Sequence, residues 1–101
     1  MNKEKKDYLL QWIEDKMNVY DFHKQQELIS SNTAYTIAVL EYTNNDTVIT
    51  FYMKFGECVN LFISTEYIDN TPLGYDYKKI TSVFIFEAVV KKFLKDKLGL
   101  E

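Results

Sequence analysis

The residues of this sequence that are best suited to covalent chemistry are one cysteine and one histidine. Cys58 and His23 could form a nucleophile–base pair, because a thiol becomes a strong nucleophile when a nearby base takes its proton. No spacing places them together, however, and a lone cysteine at the start of a strand is usually structural. The three glycines are scattered, and the sequence contains no CxxC, HExxH or Gly-x-Ser-x-Gly motif. We therefore expect no catalysis, no metal and no cofactor.

Tyrosines and carboxylates are concentrated in residues 65–77, a segment without strand or helix periodicity that also carries no positive charge. Long loops in compact domains are often functional, and tyrosine is enriched in binding hot spots. We expect this loop and the neighbouring sheet to bind a partner protein. The candidate residues are Glu66, Tyr67, Asp69, Tyr75, Asp76, Tyr77, Tyr52 and Phe62. The alternative is a crossing loop in which the tyrosines pack inward and Asp76 caps the following helix.

Charge is distributed unevenly along the 101 residues. Residues 40–77 contain one lysine and six carboxylates, whereas residues 78–101 contain six lysines and three carboxylates. The formal net charge of the whole chain is −3, and all twelve basic residues are lysines. Arginine, the residue that best binds phosphate and guanine through two parallel hydrogen bonds, is absent. These features favour a basic protein partner over nucleic acid.

Three runs of β-branched and aromatic residues, at positions 35–42, 47–55 and 59–64, must hold these candidates in place. Turn residues separate the runs, which is typical of an antiparallel meander. Because side chains alternate across a strand, a three-residue turn at positions 44–46 would pair Val39 with Phe51 and bury the odd positions of all three runs. That set comprises Tyr35, Ile37, Val39, Ile49, Phe51, Met53, Phe55, Val59, Leu61 and Ile63.

The even positions of the same runs are also rich in large apolar residues. They include Leu40, Tyr42, Val48, Tyr52 and Phe62, mixed with polar residues. Either a second layer covers this even face, or it is a binding or dimerisation surface. A two-residue turn at Gly56-Glu57 would pair Phe55 with Cys58 and place odd positions opposite even ones. We therefore expect a longer turn or a bulge near Cys58.

Helical periodicity is found on both sides of the meander. One apolar stripe, in residues 4–18, consists of Leu9, Trp12, Ile13 and Met17; the other, in residues 78–98, consists of Val83, Phe86, Val89, Val90, Phe93 and Leu94. Gly99 is a suitable stop for the second helix. Residues 18–32 fit either a short helix or an irregular strand. Residues 80–86 also fit a fourth strand, with a shorter helix from Glu87. Phe84 and Ile85 lie outside the stripe and suggest extra burial.

These elements predict a single α+β domain over residues 1–101. Its three-stranded antiparallel meander is flanked by N- and C-terminal helices (α-β-β-β-α), and both helices pack on one face of the sheet. We expect Phe51, Met53, Leu61 and Phe93 to be buried together with Trp12. Residues 3–6 are basic, but the apolar stretch that follows them, residues 8–13, is too short and too polar for the hydrophobic region of a signal peptide. No apolar run reaches transmembrane length. A cytoplasmic protein is therefore expected.

The order of helix, three strands and helix resembles the double-stranded-RNA-binding domain. Lys78-Lys79 follow Gly74 much as a lysine pair begins the last helix of that family. The family's Gly-Pro-x-His loop is absent, and residues 44–46 stand in its place. Bulky residues such as Phe86 and Val90 replace the small alanines of its last helix. The resemblance implies an alternative function, namely binding of nucleic acid through the basic C-terminal helix by Lys78, Lys79, Lys91, Lys92 and Lys95.

The function that the sequence favours is protein binding without catalysis. We expect an inhibitor or immunity-type protein that blocks a basic enzyme surface, such as that of a nucleic-acid-handling enzyme, with an acidic and tyrosine-rich patch. Lysine, asparagine, isoleucine and tyrosine are abundant, which suggests an AT-rich bacterial or phage genome. The sequence also allows a homodimer through the even face of the sheet. We expect no contact with a membrane.

Overall fold

The protein folds as one antiparallel sheet with two helices. A computed structural model describes the backbone of residues 3–68, 71–74 and 78–100, and the side chains of residues 3–65 and 79–100. The elements, in chain order, are α1 (Lys3–Val19), β1 (His23–Ser31), β2 (Thr36–Asn44), β3 (Thr47–Phe55), β4 (Val59–Ile68), β5 (Thr71–Gly74), β6 (Lys78–Ile80) and α2 (Val83–Leu98). The strand order is β1-β2-β3-β4-β5, and β6 also pairs with β4. The α+β class is confirmed, but the described residues form a sheet of six strands instead of three.

The segment that fitted either a helix or a strand is β1. Asp21, with φ of 61°, reverses the chain after α1, and the Phe22 N–H then donates to the Met17 carbonyl at 3.0 Å. Phe22 is buried in the core and thereby ties the start of β1 to the sheet. With this extra strand, and with β5 and β6, the strand order of the double-stranded-RNA-binding domain does not hold.

The turn between β2 and β3 has two central residues, Asn45 and Asp46, instead of three. Asn45 adopts φ of 53°, a left-handed conformation that asparagine tolerates well. The closing pair is therefore Asn44 with Thr47. A change of one residue in a turn moves every side chain of the strand to the opposite face, because the side-chain period is two.

The face assignment of β2 is consequently wrong. Leu40 lies opposite Phe51 and Ala38 lies opposite Met53, so the even positions of β2 enter the core. Ile37 is 38% exposed on the other side. The odd positions of β3 and β4 that were predicted to be buried, from Ile49 to Ile63, are buried, so the error is confined to the first run.

The connection between β3 and β4 takes the longer form that was expected. Phe55 pairs with Val59, which leaves three residues in the turn. The Gly56 N–H donates to the Cys58 carbonyl at 2.9 Å and closes it. Odd positions of the two strands therefore face each other and reach the same core.

Both helices contribute to one hydrophobic core on a single face of the sheet. Phe51, Met53, Leu61 and Phe93 are buried, as predicted. Trp12 is half-buried at the margin of this core, and its ring centroid lies 6.3 Å from that of Phe86 in an edge-on geometry. The other fully buried helical side chains, from α1 and α2, are Leu9, Ile13, Met17, Phe86, Val90 and Leu94.

The last helix begins later than expected. Residues 78–80 form β6, and Ser82 caps α2 by accepting a hydrogen bond from the Ile85 N–H at 3.1 Å. Gly99 ends it with φ of 66°, as expected of a C-terminal glycine. The extra burial expected near the start of α2 is wrong, because Phe84 is 81% and Ile85 is 47% exposed.

Part of the segment predicted as an aperiodic loop is strand. β4 continues to Ile68 and pairs with β5, where Pro72 is tolerated because β5 is at the edge of the sheet. Because α2 is capped by Ser82, Asp76 is not its N-cap.

Candidate protein-binding surface

A row of apolar residues crosses the face of the sheet opposite the helices. The strand registers set Leu28 beside Val39, Val39 beside Tyr52 and Tyr52 beside Phe62. Residues directly opposite each other on paired strands direct their side chains to the same face. These four residues therefore form a straight row from β1 to β4. Together with Ile37, we call them the open face.

Aromatic side chains form the centre of the open face. The ring centroids of Tyr52 and Phe62 are 5.8 Å apart, and the ring planes are inclined at 57°. This separation is within the range of favourable aromatic pairs. A shallow groove of about 220 Å³ follows the row and is lined by Ile37, Val39, Tyr52, Met53, Lys54, Asn60 and Phe62. The groove offers a partner both apolar surface and polar edges.

The charged residues beside the row have defined positions. Lys54 Nζ lies 4.4 Å from the centroid of the Tyr35 ring, in the geometry of a cation–π contact. Glu41 lies beside Val39 along β2 but in the next cross-strand row, opposite Thr50. Thr50 itself is buried, so the open part of this face lies toward Ile37.

The eight residues predicted to bind a partner are only partly described. Tyr52 and Phe62 are brought together, as expected of a joint site. Glu66 and Tyr67 belong to β4, but their side chains lie outside the described residues, as do Asp69, Tyr75, Asp76 and Tyr77 entirely. Sequence reasoning missed Leu28, Ile37 and Val39. A two-residue turn at Asn45-Asp46, if assumed from the start, would have placed Ile37 and Val39 on this face.

The possible nucleophile–base pair is separated by the length of the sheet. His23 pairs with Thr43, near one end of β2. Cys58 follows Phe55, which pairs with Thr36 at the other end of β2. At about 3.3 Å per residue, the two ends are roughly 20 Å apart. His23 therefore cannot activate Cys58 in this fold.

No group of three or more histidine, cysteine, aspartate or glutamate residues among the described residues could hold a metal ion. Neither of the two described helices has the length and apolar character needed to cross a membrane.

A polar cluster joins α1 to β1 and β2 at the side of the core. The Tyr42 hydroxyl donates to Glu14 Oε2 at 2.7 Å. Lys24 Nζ lies 2.8 Å from Glu27 Oε1 and 3.6 Å from Glu14 Oε2. Burial, followed by the hydrogen bond to Glu14, raises the pKa of Tyr42, and the hydrogen bond to Glu27 raises the pKa of Lys24. The contacts of Glu14 with Tyr42 and Lys24 hold α1 against the sheet, and the Lys24–Glu27 pair lies within β1, so the cluster is structural.

The lysines named for the alternative function are partly grouped. Lys91, Lys92 and Lys95 line a shallow depression of about 460 Å³ on α2, together with Asp96. Lys92 Nζ is 2.8 Å from Asp96 Oδ2, which offsets part of the positive charge. Lys79 is exposed on β6, and the side chain of Lys78 lies outside the described residues.

Within the part of the chain that the structure describes, the open face and the lysine depression are two surfaces with a chemistry suited to binding. The first is apolar and aromatic, with Glu41 beside it; the second is basic and lies on a helix. Comparison of this chain with family models, with curated proteins and with solved structures found no match.

Proposed function

We propose that the protein is a small non-catalytic binding module and that the open face contacts a partner protein. The observation that carries the proposal is the pair of half-buried rings, Tyr52 and Phe62, on two central strands. Central strands are paired on both sides, so the rings lose little freedom when a partner covers them. Large aromatic side chains on a rigid base are the usual anchors of a protein interface.

The partner in this proposal has a basic surface. Residues 40–77, which include most of β2, β3 and β4, contain one lysine and six carboxylates, and Glu41 borders the open face. Unlike charges accelerate the encounter of two proteins, whereas buried anchors slow their dissociation. The candidates Glu66, Tyr67, Asp69, Tyr75, Asp76 and Tyr77 remain part of the proposed contact.

The proposal also includes a biological role and an origin for the protein. An inhibitor or immunity-type protein of bacterial or phage origin would use such a surface to block a basic, nucleic-acid-handling enzyme. Small size, acidity and the lysine- and asparagine-rich composition support this idea. A cytoplasmic location is proposed with it.

The test compares two matched charge substitutions. Phe62→Glu places a carboxylate in the open face, and Phe84→Glu places one at an exposed phenylalanine of α2. A partner is captured from a bacterial lysate on the wild-type protein, purified, and titrated against all three proteins, after thermal unfolding has shown that each is folded. We expect Phe62→Glu to weaken binding at least about 30-fold, as for a hot spot worth about 2 kcal/mol, and Phe84→Glu to leave it unchanged. Equal affinities would contradict the proposal.

The second candidate function is nucleic-acid binding, and the grouping of Lys91, Lys92 and Lys95 favours it. Such binding would weaken steeply with salt, because neutralised phosphates release counterions. We expect weak or no binding of duplex RNA or DNA at physiological salt, because the chain is acidic and lacks arginine. Micromolar binding that is lost in a Lys91→Glu and Lys95→Glu double variant would favour this candidate instead.

A further inference from the structure

The first strand of the sheet has an exposed edge. β1 is nine residues long and every residue is exposed, and β2 is its sole neighbour among the described strands. The outer side of an edge strand presents N–H and C=O groups that can pair with another chain. Native proteins usually protect such edges with charges, prolines, bulges or short strands.

Protection of β1 is restricted to its first half. The register shifts between Lys24 and Gln26, which marks a bulge, and Lys24 is ion-paired with Glu27. Residues 28–31 have neither charge nor bulge. They include Leu28 and Ile29, which are 63% and 44% exposed. Together with Glu27, whose carboxylate is paired with Lys24, they make residues 27–31 the part of the edge that another strand can use.

The hydrogen-bond pattern shows which backbone groups of this segment point outward. The Asn32 N–H donates to the Tyr35 carbonyl at 3.0 Å, so these two residues form a hydrogen-bonded pair at the β1–β2 turn. Bonded and non-bonded pairs alternate along antiparallel strands. Residues 30 and 28 therefore bond to β2, and Glu27, Ile29 and Ser31 direct their N–H and C=O groups away from it.

We propose that β1 pairs antiparallel with β1 of a second copy of this chain, with Ile29 opposite Ile29. In this register Glu27 lies opposite Ser31 of the second copy. All three outward-pointing residues of each copy then meet outward-pointing residues, which gives about six backbone hydrogen bonds. A register centred on Glu27 would place two carboxylates opposite each other, which is unfavourable.

The self-complementarity of residues 27–31 identifies a second copy as the occupant. A two-fold axis at Ile29 pairs isoleucine with isoleucine and the Glu27 carboxylate with the Ser31 hydroxyl, while Leu28 lies opposite Ser30. The bulge at residues 24–26 lies beyond the paired segment. Because positions of equal parity face each other, both open faces lie on the same side of one continuous sheet. The pairing does not depend on the proposed protein-binding function. An interface confined to one strand is smaller than the standard size, so we expect a weak dimer.

Cross-linking tests the register. Two variants are compared, and both carry Cys58→Ser. One adds a cysteine at residue 29 and the other at residue 28, which are neighbouring exposed positions of β1. Ile29→Cys brings two cysteines together at a Cα separation of about 5.5 Å, which a disulfide can bridge. In Leu28→Cys the two cysteines are diagonal neighbours with a Cα separation of about 8 Å, which is too long for a disulfide. We expect mild oxidation to dimerise the first variant at least about tenfold faster than the second. Equal rates, or a faster Leu28→Cys, would overturn the proposal.

Sedimentation tests whether the dimer forms without a disulfide. We expect the wild-type protein to dimerise reversibly at concentrations between about 10 µM and 1 mM. Ile29→Lys places two like charges at the two-fold axis and should abolish the dimer. Ile85→Lys, an equivalent change at an exposed position of α2, should leave it intact. A wild-type protein that stays monomeric throughout, or an Ile29→Lys variant that still dimerises, would overturn the proposal.

Discussion

Two tyrosines show how local surroundings decide the effect of a single hydroxyl. The Tyr42 hydroxyl donates to the Glu14 carboxylate at 2.7 Å, and a hydrogen bond to a charged group contributes about 1.5–3 kcal/mol to stability. Tyr42→Phe should therefore lower the free energy of unfolding by roughly that amount, as measured by urea denaturation. An unchanged midpoint would show that this bond does not stabilise the contact between α1 and the sheet.

The Tyr20 hydroxyl is the matched counterpart. It is buried and has no hydrogen-bond partner among the described residues. Removing an unsatisfied buried polar group is usually neutral or stabilising. Tyr20→Phe should therefore keep or raise the free energy of unfolding in the same denaturation experiment. A loss above about 1 kcal/mol would mean that this hydroxyl has a partner in solution.

The pKa of Tyr42 makes stability depend on pH in the alkaline range. Burial and the hydrogen bond to Glu14 raise the pKa above the ordinary value of 10.0. Above that pH the unfolded chain releases this proton while the folded protein retains it, so the stability falls as the pH rises. We expect the free energy of unfolding to decline more steeply above pH 10 in the wild-type protein than in Tyr42→Phe. Equal slopes would contradict this assignment.

Phe51 tests the core itself. It is fully buried on the face that carries both helices, and a truncated phenylalanine leaves a cavity. Phe51→Ala should cost about 3–5 kcal/mol, whereas Tyr52→Ala, on the open face, should cost clearly less. Chemical denaturation measures both. A cost below about 1 kcal/mol for Phe51→Ala would show that this side chain is not packed in a core.

At the level of elements, the cap of α2 gives a defined prediction. The Ser82 hydroxyl accepts from the Ile85 N–H, one of the N–H groups that have no partner within the helix. Ser82→Ala should lower the free energy of unfolding by about 0.5–2 kcal/mol. Thr81→Ala, at the exposed neighbouring residue, is the control and should have little effect. Equal effects would argue against a specific cap.

The elements that could be predicted from the sequence are those with strong periodicity. The stripes of α1 and α2 and the alternation in β3 and β4 each have a clear period. The buried face of β2 was assigned wrongly because residues 44–46 fit a two-residue or a three-residue turn equally well. The difference of one residue exchanges the two faces of the strand. β5 and β6, at four and three residues, are too short to show a period.

The same limit applies to the candidate site. Tyr52 and Phe62 could be identified because β3 and β4 have an unambiguous face. Leu28 could not, because residues 18–32 fitted both a helix and a strand until the pairing of β1 with β2 was known. Ile37 and Val39 could not be identified because the buried face of β2 was assigned wrongly. Residues at a site that spans several strands depend on every register between them.

At the scale of the whole molecule, the two faces of the sheet have different surroundings. One face packs on α1 and α2 and holds the buried core. The other presents the open face, and residues 40–77, with one lysine and six carboxylates, are more negative than the chain as a whole, whose formal net charge is −3. The lysines of α2 lie on a different surface. A basic partner is therefore expected at the sheet, and the edge of β1 remains available to a second copy.

The dissociation rate of the complex with the purified partner tests the central claim most directly. Tyr52→Ala removes an aromatic anchor from the open face, and Phe84→Ala removes an exposed aromatic ring from α2. We predict that Tyr52→Ala increases the dissociation rate by a factor of about 30, as for a hot spot worth about 2 kcal/mol, and that Phe84→Ala leaves it unchanged. If a folded Tyr52→Ala variant dissociates at the wild-type rate, the open face is not the contact surface.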